Sequence, residues 1–141
     1  MHIFFQKNNK KFHNLPDAIK AACEDLVYIS ETDAPVLAFS GARVEAVTKE
    51  TILQQTGHAA ETQTEEMPFD GFFERLTAIK DWFGEPEKAR AKNFLDLQKL
   101  LEENLSDRKV FRMGRIRLDI YAVGIDKEGR LMGVTTKAVE T

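Results

Sequence analysis

Apolar and polar positions alternate along residues 109–141, KVFRMGRIRLDIYAVGIDKEGRLMGVTTKAVET, with Val110, Ile116, Leu118, Ile120 and Ala122 all on one parity. A two-residue period belongs to a strand with one buried face. Asp126, Lys127, Glu128 and Gly129 supply turn chemistry, so the pattern predicts two strands joined by that turn. The second, over residues 131–139, carries Val134, Thr135, Thr136 and Val139, a β-branched cluster that helices disfavour. The pattern continues almost to Thr141, so the C-terminal carboxylate stands at the end of an ordered element rather than in a loose tail.

Upstream the period changes to that of helices. Leu15, Ile19, Ala22, Cys23 and Leu26 share one face of a helix over residues 15–27, with Pro16 and Asp17 suited to its first turn. YISETDAP at 28–35 crowds Ser30, Glu31, Thr32 and Asp33 before a proline, the composition of a solvated turn. Residues 36–39 and 43–47 resemble a hairpin turning at Ser40 and Gly41. A short helix follows over 49–55, capped by Thr48 and closed by Gly57. The polar segment 59–67 is the longest candidate loop. Phe69, Phe72, Phe73 and Leu76 form the apolar stripe of a helix over 69–76, and Ala89, Phe94, Leu97, Leu100, Leu101 and Leu105 that of the longest helix, 87–105. Between them, residues 80–86 form a loop holding Trp82, the chain's one tryptophan. Such a Trp either covers a core edge or anchors a partner.

Helices and a terminal meander in this order do not alternate as βαβ units, so the fold class is α+β with a mainly antiparallel sheet packed by helices. Residues 1–14, MHIFFQKNNKKFHN, form a basic arm with a short strand over 2–5, and residues 15–141 form one domain. The apolar run of three in that arm is too short for a signal peptide or a membrane span, so a cytoplasmic location and no membrane partner are expected.

Composition narrows the function classes. With 23 acidic against 20 basic residues the net charge is −3, which argues against direct nucleic-acid binding. The single cysteine excludes a disulfide framework and a cysteine-rich zinc site. Cys23 on an apolar helix face reads as a buried, inert thiol. His2, His13 and His58 lack metal-ligand spacing, so His58 is a capping or surface residue. No phosphate loop, dinucleotide turn, nucleophile elbow or zincin motif is present. Neither an enzymatic activity nor a cofactor is expected.

Several segments resemble the nuclease A inhibitors, proteins that block DNA/RNA non-specific metal-dependent nucleases. They are YISETDAP at 28–35, LQQTGH at 53–58, FDGFFERLT at 69–77, DWF at 81–83, LDIYAVG at 118–124 and GVTTKAVET at 133–141, with helices between them in matching order. The resemblance implies a three-layer α/β/α sandwich similar to pathogenesis-related proteins, closed by a C-terminal β meander. It also implies a nuclease-binding surface made of an acidic residue after the first helix, an Asp and Trp pair in a loop, and a C-terminal Thr. Those positions are held here by Glu31, by Asp81 with Trp82, and by Thr141. The implied partner is a non-specific ββα-metal nuclease, bound by a protein that is a monomer when free. No metal site is expected in the isolated chain; the Thr141 carboxylate would reach the partner's metal.

That chemistry suits the residue types. A phosphodiesterase holds a hard cation and basic side chains for a polyanion, and carboxylates compete for both. Three features depart from the family's pattern: Arg115 and Arg117 stand where it tends to be acidic, residues 1–14 are extra, and 59–66 match poorly. The alternative reading is a non-enzymatic interaction or small-ligand-binding module on the same fold, marked by a disordered or buried Trp82 or a Thr141 carboxylate in a salt bridge with its own domain. An enzyme would instead need a deep pocket gathering His58 with acidic residues.

Overall fold

A computed structural model describes residues 4–5 and 11–141 of the chain. Phe4–Phe5 (β1) pairs antiparallel with Lys11–Phe12 (β2), so the strand expected over 2–5 is found at its second half; its first half lies outside the described residues. Phe12 packs against the core.

Helix α1, Leu15–Ala22, starts where the Asn14 side chain accepts the Asp17 N–H at 2.9 Å and buries Leu15, Ala18, Ile19 and Ala22. It stops five residues short of the expected end. Asp25 takes a left-handed backbone, φ 61°, which breaks the helical ladder, and Val27–Ile29 (β3) instead pairs with Asp33–Pro35 (β4). The expected turn of YISETDAP is therefore the tip of a small hairpin.

The hairpin expected at Ser40 and Gly41 is not there. Leu37–Arg43 is one strand, β5, with a register shift between Ser40 and Arg43. Gly41 marks a bulge instead of a turn. A Cβ there would sit 2.3 Å from the Gln55 Oε1 atom, and that oxygen accepts the Ala42 N–H at 2.8 Å.

Helix α2, Lys49–Thr56, is capped by Thr48 and closed by Gly57 with φ 74°, as expected. Part of the expected polar loop is a strand, Thr64–Pro68 (β6). It is polar because it lies at the sheet's edge, where Glu65 faces Arg112 across the ladder. Helices α3, Phe69–Thr77, and α4, Glu85–Asn104, match expectation closely. The first strand of the expected terminal pair is two strands, β7 (Ser106–Gly114) and β8 (Arg117–Ile125), followed by β9 (Arg130–Val139). Alternation carries through the turn at Arg115 and Ile116 and hides it. Gly114 makes the turn possible: its φ is 115°, and a Cβ would meet the Arg117 carbonyl at 2.3 Å.

The sheet order is β5-β9-β8-β7-β6, antiparallel throughout. Strand alternation divides its side chains between two cores. Val110, Leu118, Ile120, Ala122, Met132, Val134 and Ala138 meet α1, α3 and α4. Phe111, Met113, Tyr121, Val123 and Leu131 meet Ile52 and Leu53 of α2, together with Val47. The fold is thus α+β in three layers, with a C-terminal meander.

Chain direction fixes what gathers at each end of the sheet. Pro68 lies opposite Lys109, near the start of β7, so α3 runs back toward the end where β7 turns into β8. Helix α4 returns to the start of β7. The α3–α4 loop, residues 78–84, therefore shares an end of the sheet with the β7–β8 turn and the exit of β9.

Phe73 is fully buried, tilted against Phe69 and edge to face with Phe72 at centroid distances of 4.8 and 5.3 Å. Phe73→Ala should lower unfolding stability by about 3–5 kcal/mol, read from urea denaturation; a loss under about 1 kcal/mol would place this residue outside the core.

Candidate functional site

The last three residues are held by the β3–β4 turn and the β7–β8 turn. Ser30 Oγ accepts the Val139 N–H at 3.0 Å, and Val139 O accepts the Glu31 N–H at 3.2 Å. The Glu140 N–H donates to the Ile116 carbonyl at 2.9 Å. The Thr141 N–H donates to Glu31 Oε2 at 2.5 Å, and its hydroxyl donates to Oε1 at 2.9 Å. Three consecutive amides leaving the sheet thus find partners outside the β8 and β5 ladders, which fixes the direction of the chain end.

Ser30 also donates its hydroxyl to the Thr32 carbonyl at 3.0 Å, tying the hairpin tip together. Beneath it, Arg112 pairs with Glu140, and with Glu65 at 3.4 Å. Tyr28 of β3 stacks on Phe72 of α3 with centroids 6.0 Å apart, and its hydroxyl titrates above 10.0 because burial disfavours the phenolate.

Two of the four expected residues, Glu31 and Thr141, are in direct contact. Asp81 and Trp82 are in the α3–α4 loop at the same end of the sheet, and among the described residues neither hydrogen bonds to that pair. Tyr28, Met67, Phe72, Arg75, Leu76 and Arg112 line a small hollow between the hairpin and the last turn of α3, so the loop leaves α3 beside the hairpin that carries Glu31. Trp82 is 76% exposed and meets Phe83 edge to face at 4.7 Å. Among the described residues the Thr141 carboxylate is in no ion pair. Trp82 is thus not buried, and among the described residues the chain-end carboxylate is not paired with its own domain.

Hydrogen bonds from the Thr141 N–H and then its hydroxyl hold the Glu31 carboxyl below its ordinary value of 4.5. The group is fully exposed, so it contributes more to orientation than to stability.

His58, expected as a capping or surface residue, follows the C-cap of α2. Its Nε2 lies 3.4 Å from Asp119, which also takes a 2.6 Å bond from Lys137, and that bond raises the lysine's pKa. Two cavities of about 650 Å³ each open elsewhere. One lies at the opposite end of the sheet, between His13, Asp17, Asp126 and Arg130, and the other beside α1, between Cys23, Leu26 and Leu37. Neither is lined by His58, so no deep pocket gathers it with acids there. Among the described residues no three His, Cys, Asp or Glu side chains form a metal site, and no helix is long and apolar enough to cross a membrane.

Sequence reasoning missed Ser30, Arg112 and Ile116, which fix the chain end. Serine at a turn was visible, but nothing local links it to a residue 109 positions away.

Among the described residues the sandwich thus presents Glu31 bonded to Thr141 and, in the α3–α4 loop, an exposed Trp82. Residues 13–141 match the family model described as nuclease A inhibitor-like protein, and the chain belongs to that family. Membership supports a nuclease-inhibitor role and implies a nuclease as partner. A comparison with curated proteins finds no match.

Because the folded pKa of Glu31 is depressed, its bonding to Thr141 is complete above the ordinary glutamate range and is lost as pH falls below 4.5 through the lower folded value. An NMR titration read at the Glu31 side-chain carboxyl carbon should place its midpoint below 4.5, and deleting Thr141 should return it toward that ordinary value. An inflection at or above 4.5 would contradict the bond.

Proposed function

We propose that the chain inhibits a DNA/RNA non-specific, metal-dependent nuclease of the ββα-metal type by inserting its C-terminal carboxylate into the catalytic cleft. The observation that carries this reading is the Glu31 clamp on Thr141, which leaves the carboxylate itself outside any intramolecular ion pair among the described residues.

Each residue has a distinct part. Thr141 supplies a slim anion, ionised at neutral pH, that competes for the partner's hard cation. Glu31 orients it and keeps acceptor capacity for the basic groups that otherwise hold phosphate, since a carboxylate accepts about four bonds. Asp81 adds a second acceptor on the neighbouring loop. Trp82 provides anchor area that is buried only in the complex. The inhibitory unit is residues 15–141, acting as a monomer in the cytoplasm, with residues 1–14 as a separate basic arm. Inhibition of this kind uses no cofactor and touches no nucleic acid.

Deleting Thr141, or appending residues after it, should weaken inhibition of DNA cleavage by about 100-fold or more, while the thermal midpoint moves by no more than about 4 °C. Trp82→Ala should cost about 2 kcal/mol of binding. The measurements are a cleavage titration and a melting curve on the same samples. Parallel losses in both would make the terminus structural, and no inhibition by the intact chain at micromolar excess over any such nuclease would end the proposal.

A further inference from the structure

Among the described residues six large apolar side chains are exposed: Ile29 (49%), Leu37 (55%), Ile79 (63%), Trp82 (76%), Leu95 (37%) and Ile116 (56%). Four of the six belong to the end of the sheet where Thr141 emerges. Ile29 directly precedes Ser30 and Glu31, Ile79 and Trp82 share the α3–α4 loop, and Ile116 lends its carbonyl to the Glu140 N–H. Leu37 on β5 pairs with Thr135, short of the β9 exit, and Leu95 lies midway along α4. Single exposed apolar residues are ordinary, whereas their gathering at one end marks an interaction site.

The charges at this end are also sorted. Arg112 is largely buried and committed to Glu140 and Glu65. Arg115 and Arg117 flank Ile116, are exposed, and form no ion pair among the described residues. The centre is anionic, with the Glu31 carboxylate bonded to the N–H and hydroxyl of Thr141 at the chain end, and the flank is cationic. A partner that matched the centre alone, with a cation and basic side chains throughout, would meet these two arginines as like charges at a cost of affinity and encounter rate.

Resting on the inhibitor reading above, we propose that Ile29, Ile79 and Ile116 extend the docking surface around Trp82 and Thr141, and that Arg115 and Arg117 select a nuclease whose cation-holding cleft is flanked by acidic side chains. The apolar residues supply buried contact area, and the two arginines set the choice among nucleases of similar catalytic centre. They act on association, because exposed charges at a rim govern steering more than residence time.

The test uses the full chain and two non-specific metal nucleases, one with acidic and one with basic side chains flanking the cleft, with association rates measured across salt concentrations. The intact chain should associate at least 10-fold faster with the acidic-flanked enzyme. The double variant Arg115→Glu with Arg117→Glu should remove that advantage and flatten its salt dependence, with the thermal midpoint unchanged. Ile79→Ala with Ile116→Ala should speed dissociation by 10-fold or more. Faster association with the basic-flanked enzyme, or rates and salt dependence unmoved by the arginine reversals while inhibition persists, would overturn the selection by arginine alone. Dissociation unmoved by the isoleucine variants would overturn the extended surface. Failure of the intact chain to inhibit either enzyme would remove the inhibitor reading, and this inference with it.

Discussion

Strand β9 is buried on both faces along most of its length, hydrogen bonded to β8 as far as Val139 and to β5 over residues 130–135. A strand so placed cannot fray without opening both cores. Beyond Thr135 its exit keeps β8 on one edge and meets the β3–β4 hairpin on the other, through Thr136 on Pro35 and Val139 on Ser30, and the geometry of the chain end follows from that. The partners of Val139, Glu140 and Thr141 add direction to what burial has already made stiff. A terminus on an edge strand would need to order itself on binding, at a cost in conformational entropy that this arrangement has already met in folding.

The same architecture explains why the surface lies at one end. Antiparallel strands joined by tight turns put the β7–β8 turn and the exit of β9 together, and the path from β6 through α3 brings the α3–α4 loop to them. The small hairpin of β3 and β4 joins this group through Tyr28 on Phe72 and Ser30 on Val139. Four segments far apart in sequence thus lie at one end of the sheet without belonging to one element. Electrostatics then divides the roles. Arg112 pairs with the exposed Glu140, while the Glu31 carboxylate, held low by the Thr141 donors, keeps its charge at every pH near neutrality. The negative charge left for a partner includes Glu31, the chain end and the exposed Asp81.

Helix periodicity and caps were legible because they are local. The Thr48 cap, the Gly57 stop and the phenylalanine stripe of α3 each depend on residues within one or two turns. Strand boundaries were less so. Gly41 looked like a turn and is a bulge, because what decides between them is Gln55, from another element, approaching the place a side chain would fill. Gly114 was overlooked as a turn because alternation carries through it. The polar edge strand β6 looked like a loop, since an edge strand has little apolar content to betray it.

For the site, sequence alone determined which residue types were available: an acid in a turn, an Asp and Trp in a loop, a Thr at the chain end, and their likeness to the nuclease A inhibitors. It also determined the α+β class, through periods that change from 3.6 to 2 along the chain. Tertiary structure decided that Glu31 and Thr141 touch across 110 positions, that Ser30 and Ile116 hold the same tail, and that four exposed apolar side chains gather at that end. The reason is physical: periodicity reports the face a residue shows to its own element, whereas contact between elements depends on strand order and helix direction, which no local pattern encodes.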